Sequence, residues 1–535
     1  MTATTAADVL ATAFQQAGVC RIFGVPGGGS SLDLIAAAKR QGIGFVLARH
    51  EFSAGVMASV TAELSGTPGV ALCTRGPGVG NMANAMANAA LERSALVLVA
   101  DGFAPAERDF ATHQYFDHAA MMAPVVKAAF DVGRDGAGES VRGAIDAVMA
   151  APRGAALIQL SAEAARAPAT PPTRAMAQAV PLPDLAAARA LIAAAKRPVA
   201  ILGLELLDPA AAAGARALVA ALGCPALVTY KAKGCIADND PRFAGVFTGG
   251  AAEGPVLDQA DLILLLGADP VEFIPRAWRW SAPVLDCGTA PRPLAYSVPE
   301  VACYGDLGGI LAGLARDAAP CDWNQGEIAP LRAAWRAALA NGGGGGGVGP
   351  QPVVEIAQAA CRRNGADPRV AVDAGAHMFP LTSFWQAERP GDLLISNGLA
   401  TMGFALPAAI AAALHDPARG AIACIGDGGL LMQLGELASA AALGVKLVVL
   451  VFNDAGLSLI DIKKGARDLP DGALDWPRVD FAAAARAMGV PGFRADTEAA
   501  LADALDAALA LSGPSLIDVA VDPSGYPAQI KALRG

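Results

Sequence analysis

The sequence predicts an α/β protein built from three doubly wound parallel-sheet domains, and three observations lead there. Short apolar runs without helical spacing, such as Val70–Cys73, Ala95–Ala100 and Leu262–Gly267, alternate with longer helical stretches, the pattern of βαβ units. The run Lys446–Phe452 is apolar almost from end to end rather than alternating, as a strand buried on both faces of a parallel sheet must be. Two stretches then break the pattern. Ala165–Leu182 is Pro-rich without apolar periodicity, and Asn341 is followed by six consecutive glycines, which hold no regular element. They divide the 535 residues into blocks 1–170, 184–340 and 351–535, each of ordinary domain size.

In the first block the expected order is helix Asp8–Gln16, strand Cys20–Val25, a PGGGSS turn, helix Leu32–Arg40, strand Gly44–Ala48 and a helix through RHEFSAGVMASVTAELSG. Strand Val70–Cys73, the turn TRGPGVGN, a helix to Glu92 and strand Ala95–Ala100 follow. The second block carries strands at Pro198–Leu202, Pro225–Tyr230, Leu262–Gly267 and Pro283–Asp286. The third opens on strand Val370–Val372, and no sequence repeat relates the three blocks.

The third block also holds the stretch with the most chemistry, Ala421–Lys464. Ala421–Ile425 is a buried-strand run broken by Gly426-Asp427-Gly428-Gly429. One helix is expected from Leu430 to about Leu443, ended by Gly444, and the strand Lys446–Phe452 delivers Asn453-Asp454 at its carboxyl end. Open parallel sheets bind ligands beyond the carboxyl ends of their strands. Both ends here carry oxygen donors, which suit a hard cation such as Mg2+, and glycines at a helix start let backbone N–H groups approach a phosphate. A metal-bridged diphosphate is the guest this arrangement fits; the plain alternative is a tight turn and a loop start.

Composition bounds the partners. A net charge of -10 without a basic stripe argues against nucleic acid. The content of 54% hydrophobic and 17% charged residues excludes a disordered chain. Nine scattered cysteines, odd in number and without a CxxC pair, read as reduced core thiols of a cytoplasmic protein. MTATTAADVLATAF lacks the basic start and long apolar core of an export signal. Leu393–Leu414 is uncharged, but Ser396, Asn397, Pro407 and several glycines interrupt it, so a buried segment is expected rather than a membrane span.

The GDG sequence, 24 residues from Gly429 to Phe452 and then Asn453-Asp454 resemble the diphosphate-and-metal motif of thiamin diphosphate-dependent enzymes. RHEFSAGVMASVTAELSG with CTRGPGVGN, FGVPGGG, THQYFD, GAH and GLATMGFALP resemble the acetolactate synthase and benzoylformate decarboxylase-like branch over nearly the whole chain. The resemblance makes the three blocks a pyrimidine-binding, a middle and a diphosphate-binding domain. It implies that Asp427, Asp454 and the backbone of Gly456 hold Mg2+, and that Gly426, Gly428 and Gly429 touch the diphosphate, with His377 nearby. It implies that Glu51 contacts the cofactor pyrimidine, that Met402 is the apolar wedge under it and that the Ala400 carbonyl accepts from its amino group. Gln114 and Gly28 are implied to line the reacting centre. Asp454 stands where the family more often has Asn. A buried acid on a pyrimidine nitrogen manages the proton that cofactor activation requires.

Arg75 stands where the family usually has a small residue. Two readings are open: a bidentate clamp for a substrate anion, or a surface arginine paired with an acid such as Asp101 or Glu92. The paired histidines of simple pyruvate decarboxylases are missing, because Thr112-His113-Gln114 has one His. GVFTGGAAEG (Gly245–Gly254) lacks the Gly-Met-His-Gly-type stretch of flavin-binding members, which argues against FAD. GPGVGN is an incomplete dinucleotide fingerprint. The expectation is a homodimeric or homotetrameric enzyme that makes or breaks a C–C bond beside the carbonyl of a 2-oxo acid. Acetolactate synthase-like carboligation leads; a benzoylformate-type decarboxylase and a 2-hydroxyacyl-coenzyme A lyase are the enzyme alternatives. A non-catalytic cofactor-binding homologue is the alternative from another class.

Overall fold

The computed structural model describes residues 4–171, 182–291, 297–340, 346–465, 467, 469–470 and 472–535. The core of the Pro-rich stretch and the first part of the glycine run lie outside the described residues. Three six-stranded sheets, parallel in every pairing, carry the chain. The first contains β1 (Arg21–Val25), β2 (Gly44–Leu47), β3 (Gly69–Cys73), β4 (Leu96–Asp101), β5 (Ala128–Asp131) and β6 (Ala155–Leu160), in the order β2-β1-β3-β4-β6-β5. The second contains β7 (Pro198–Leu202), β8 (Ala226–Val228), β9 (Phe243–Val246), β10 (Leu262–Leu266), β11 (Val284–Gly288) and β12 (Val301–Tyr304), in the order β12-β11-β10-β7-β8-β9. The third contains β13 (Arg369–Val372), β14 (Leu393–Ile395), β15 (Ala421–Gly426), β16 (Leu447–Asn453), β17 (Gly492–Ala495) and β18 (Pro514–Ala520), in the order β14-β13-β15-β16-β18-β17.

The first and third sheets thus share one strand order, although no repeat shows in the sequence. In both, the chain turns one way after the first strand and the other way after the third. The switch points lie between β1 and β3 and between β13 and β15, the positions where doubly wound sheets open a ligand crevice. Central strands are buried along their whole length, β3, β4 and β16 among them, which is why their sequences are unbroken apolar runs.

Two compact units emerge. The first takes in the first sheet together with Gly398–Ala418 and Gln433–Val445, and the second holds the other two sheets with Arg419–Met432 and Lys446–Gly535. In the first unit the helix Glu51–Ser65 is buried at every position from Glu51 to Thr61 and Ala62. Its Ala, Gly and Ser side chains let neighbouring backbones close in: a Cβ at Gly55 would stand 2.4 Å from Ala85, and one at Gly69 would stand 2.0 Å from the Ala58 carbonyl. The second unit's core runs through both of its sheets, from Leu185 to Leu533.

The single helix expected from Leu430 to Leu443 is two helices, Asp427–Gln433 and Glu436–Leu443. The break at Leu434-Gly435 has a tertiary cause. It turns Glu436 so that its Oε1 accepts from the Arg49 and His50 amides at 2.8 and 3.1 Å, just ahead of the helix that begins at Glu51, which His50 Nδ1 caps by accepting from the Phe52 amide. Gly444 ends the second helix in the left-handed conformation with φ 61°, as its sequence position predicts. The Leu393–Leu414 segment is a buried strand and most of a buried helix, Ala405–His415, joined by a loop in which Ala400 is exposed rather than buried, and no helix among the described residues is long and apolar enough to cross a membrane.

Candidate functional site

In the second unit, β15 ends at Gly426 and runs straight into the helix Asp427–Gln433, so Asp427 sits at the strand-to-helix junction beside the β13–β15 switch point. Asp427 is 2% exposed. Its Oδ1 accepts from the Gly428 amide at 2.8 Å, and its Oδ2 is buried without a hydrogen-bond partner. Burial, then the nearby Asp454 carboxylate, push the Asp427 carboxyl up to about 7. Asp454, just past β16, is held above the usual carboxylate range by burial, against a 2.6 Å hydrogen bond from Ser458. The Gly456 amide faces both carboxylates and the Ala455 amide faces Asp427. A buried carboxylate whose proton affinity is raised by a half-buried neighbouring one makes, with it, a donor set of the kind a hard cation takes.

The glycines around them pack tightly against neighbouring side chains. A Cβ at Gly429 would lie 2.0 Å from Asp373 Oδ2, and one at Gly426 would lie 3.1 Å from the His377 ring. His377 is buried, stacks on Phe452 with centroids 5.3 Å apart, and leaves Nε2 without a partner. Burial drives it down to about 3, so the imidazole is neutral at physiological pH. An orphaned carboxylate oxygen, an orphaned imidazole nitrogen and two closely packed glycines meet at one switch point. The residues present fit a metal-bound anionic group. Asn453 faces inward instead: its Nδ2 donates to Asp518 and to the Val479 carbonyl.

In the first unit, Glu51 opens its helix, is 8% exposed and accepts from Asn81 Nδ2 at 2.9 Å. Gly78 comes close enough that a Cβ there would stand 3.5 Å from Glu51 Oε1. The TRGPG turn that begins the Asn81 helix is fixed by buried His118, whose Nε2 accepts from the Gly76 amide at 3.1 Å. Gly76 has φ 68°, and a Cβ on it would meet the Gln114 carbonyl at 2.5 Å. Gln114 itself is exposed with φ 57°. Gly28 has open space around its missing Cβ. Met402 is half-buried and Ala400 exposed, with φ 54°. Among the described residues, non-glycine positions with positive φ are Arg93, Gln114, Ala400, Ala455 and Ala473. Three of them belong to or adjoin the segments singled out in the sequence, and such strained positions cluster where function over-determines the backbone.

Arg75 lies with its guanidinium 4.3 Å over the Phe103 ring and 3.7 Å from Glu107. The acids named from the sequence are otherwise engaged. Asp101 Oδ1 accepts from Ser30, from the Ser31 hydroxyl and from the Ser31 amide, and Glu92 Oε1 accepts from the Gly398 and Leu399 amides.

Sequence reasoning missed Asn81, His118, Glu436, Asp373 and Tyr526. Asn81 lies inside the TRGPGVGN turn and could have been read as Glu51's partner one helical turn in. Tyr526 is fully buried close to Asp427 and Asp454, both of which add to the burial that raises its phenol. No local sequence signal marks it.

Comparisons with known proteins follow the same division. Residues 4–121 match the N-terminal TPP binding domain of thiamine pyrophosphate enzymes, 185–314 the central domain and 373–519 the C-terminal TPP binding domain. An acetolactate synthase of Bacillus subtilis (strain 168) is 30% identical over 97% of this chain and 93% of its own length. A catabolic acetolactate synthase of Raoultella terrigena is 30% identical over 97% of this chain and 96% of its own. A probable 2-ketoarginine decarboxylase of Pseudomonas aeruginosa is 31% identical over 91% and 88%. The solved thiamine diphosphate-dependent 4-hydroxybenzoylformate decarboxylase of Rhodococcus jostii RHA1 shares the fold, with TM-score 0.83 over 97% of this chain and 99% of that one at 23% identity. With family models matched in all three α/β blocks and relatives spanning nearly its full length, the chain belongs to the thiamine pyrophosphate enzyme family.

Proposed function

We propose that this protein is a thiamin diphosphate- and Mg2+-dependent enzyme that makes or breaks a C–C bond beside the carbonyl of a 2-oxo acid, with acetolactate synthase-like carboligation as its leading reaction. The observation that carries the reading is the buried, partnerless Asp427 Oδ2 beside the half-buried Asp454 carboxylate, in a chain that aligns over nearly its full length with acetolactate synthases. Asp427 and Asp454 would hold the cation with the backbone at Gly456, and Gly426, Gly428 and Gly429 would leave room for the diphosphate. Ala400 and Met402 would contact the rings. When bound, the cofactor supplies a nucleophilic carbon and an electron sink for the charge left by the broken bond.

The chain's own residues do the rest. Glu51 is buried and anchored by one hydrogen bond from Asn81, which leaves its second oxygen to hold or give a proton at a pyrimidine nitrogen. His377 stays neutral, so it can accept or donate one hydrogen bond without adding charge next to the carboxylates. Gln114 and Gly28 border the reacting centre. Arg75 as an anion clamp belongs to this reading too: a 3.7 Å ion pair at a half-exposed side chain is worth at most about 1 kcal/mol, so a substrate carboxylate can compete with Glu107 for it. We further propose a homodimer or tetramer located in the cytoplasm, the three α/β blocks acting as pyrimidine-binding, middle and diphosphate-binding domains.

A second reading, simple decarboxylation, draws on the 31% identity to a probable 2-ketoarginine decarboxylase. Incubating purified protein, thiamin diphosphate and Mg2+ with a panel of 2-oxo acids, with and without an acceptor carbonyl, separates the two. Acetolactate-type products support carboligation, CO2 and free aldehyde alone support the second reading, and no turnover of any 2-oxo acid refutes both. Sedimentation at equilibrium tests the assembly, which an active monomer would contradict.

A further inference from the structure

Among the nine cysteines, one pair is set apart by position. β11 and β12 run parallel with Cys287 directly opposite Cys303, so both side chains leave the same face of the sheet. Both cysteines are free and buried, and each thiol is the neighbour that most affects the other's proton affinity. Neighbouring strands lie about 4.8 Å apart, and a disulfide needs Cα atoms roughly 4.4–6.8 Å apart. Among the described residues β12 is the outermost strand of its sheet, paired only with β11, so a small closing movement breaks no second ladder there.

We propose that Cys287 and Cys303 form a redox-sensitive modification site, a dithiol that a small peroxide converts to a cross-strand disulfide in the folded protein. The Cys287 thiol opposite it favours the thiolate at Cys303, which lies below the usual thiol range, and the same neighbour together with burial holds Cys287 above it. Elsewhere Cys73, Cys224, Cys235, Cys321, Cys361 and Cys424 are all raised by burial. Cys303 is therefore the attacking sulfur, since the thiolate is the nucleophile. It attacks one oxygen of hydrogen peroxide. The O–O bond breaks, Cys303 becomes a sulfenic acid, and the departing hydroxide takes up the proton Cys303 gave up, forming water. The Cys287 sulfur then attacks the Cys303 sulfur, the S–O bond breaks, and hydroxide leaves with the Cys287 proton as a second water. Two thiols lose two electrons and one peroxide gains them.

The test treats the folded full-length protein with a few equivalents of hydrogen peroxide, blocks remaining thiols with N-ethylmaleimide and maps peptides without reductant. The expected product joins the Cys287 and Cys303 peptides, lowers the intact mass by two hydrogens before blocking, and is reversed by dithiothreitol. In Cys287→Ser, Cys303 should instead accumulate as a sulfenic acid that dimedone traps; in Cys303→Ser, Cys287 should stay a thiol. Wild-type protein whose Cys303 remains alkylatable after peroxide, or whose cross-link joins other cysteines such as Cys224 and Cys321, would overturn the proposal without recourse to any variant.

Discussion

Replacing Asp427 by Asn should stabilise the apo protein locally while destroying its cation site. The carboxyl sits at about 7, far above its ordinary value of 3.8, so an unfolded chain ionises it near pH 4 and the native chain only near pH 7. Between those values the native state holds a proton that the unfolded state has lost, and stability declines as pH rises through the window. Above about pH 7 the penalty is complete. At about 1.4 kcal/mol for each tenfold change in proton affinity, the rise from 3.8 to about 7 sets a ceiling of about 4 kcal/mol, and relaxation around a partly solvated pair brings the expected gain to roughly 2–4 kcal/mol. Asn keeps the shape and can still accept from the Gly428 amide. Because the chain has several sheets, the appropriate assay is amide hydrogen exchange along Ala421–Gly426 and Leu447–Asn453 in chelator, which reads local opening directly. Asp427→Asn should slow exchange there by about 30- to 1,000-fold at pH 8, and the effect should shrink steadily as pH falls toward 4. Equal or faster exchange in the variant at pH 8, or a gain independent of pH, would refute the claim that burial and the neighbouring Asp454 hold the Asp427 carboxyl above its ordinary range.

Three further outcomes follow from named contacts. Glu51→Gln keeps an oxygen for Asn81 but removes the acid, so steady-state turnover should fall about 10²- to 10⁴-fold while thiamin diphosphate affinity, read by fluorescence quenching, changes less than about tenfold. Gly429→Ala places a Cβ against Asp373, and overpacking of about 1–3 kcal/mol should appear as a lowered Tm together with weakened cofactor binding; an unchanged Tm would show that Asp373 moves aside freely. Arg75→Ala loses a loose ion pair and a ring contact, so stability should change by less than about 1 kcal/mol. A clamp role predicts a ten- to hundredfold lower kcat/KM for dicarboxylic substrates alone, and equal loss across neutral and anionic substrates would remove Arg75 from the site.

What the sequence made legible was whatever is local. The βαβ unit around Asp427 could be read because a buried parallel strand is an unbroken apolar run, a glycine cluster must end it, and Asp454 follows the next strand directly. Edge and outer strands were harder. β5 is only partly buried, and β17 carries exposed Arg494, so neither shows a clean pattern. The split at Leu434-Gly435 was invisible because its cause, Glu436 accepting from the amides at Arg49 and His50, joins residues almost four hundred positions apart. The common strand order of the first and third sheets is likewise a property of pairing, which residue types do not spell out. The same limit applies to Asp373, His118 and Tyr526: each acts by lying beneath or beside a site residue, and burial of a polar side chain against a distant partner leaves no spacing to read.

The measurement that bears most directly on the account is a calorimetric titration of thiamin diphosphate into the apo protein, run once with Mg2+ and once in chelator, for wild type and Asp427→Asn. Wild type should bind with Mg2+ and lose most of that affinity in chelator, and Asp427→Asn should bind poorly in both. Equal affinity with and without the cation, or a variant that binds as tightly as wild type, would contradict the assignment of the Asp427–Asp454 pair as the place where this enzyme holds its cofactor.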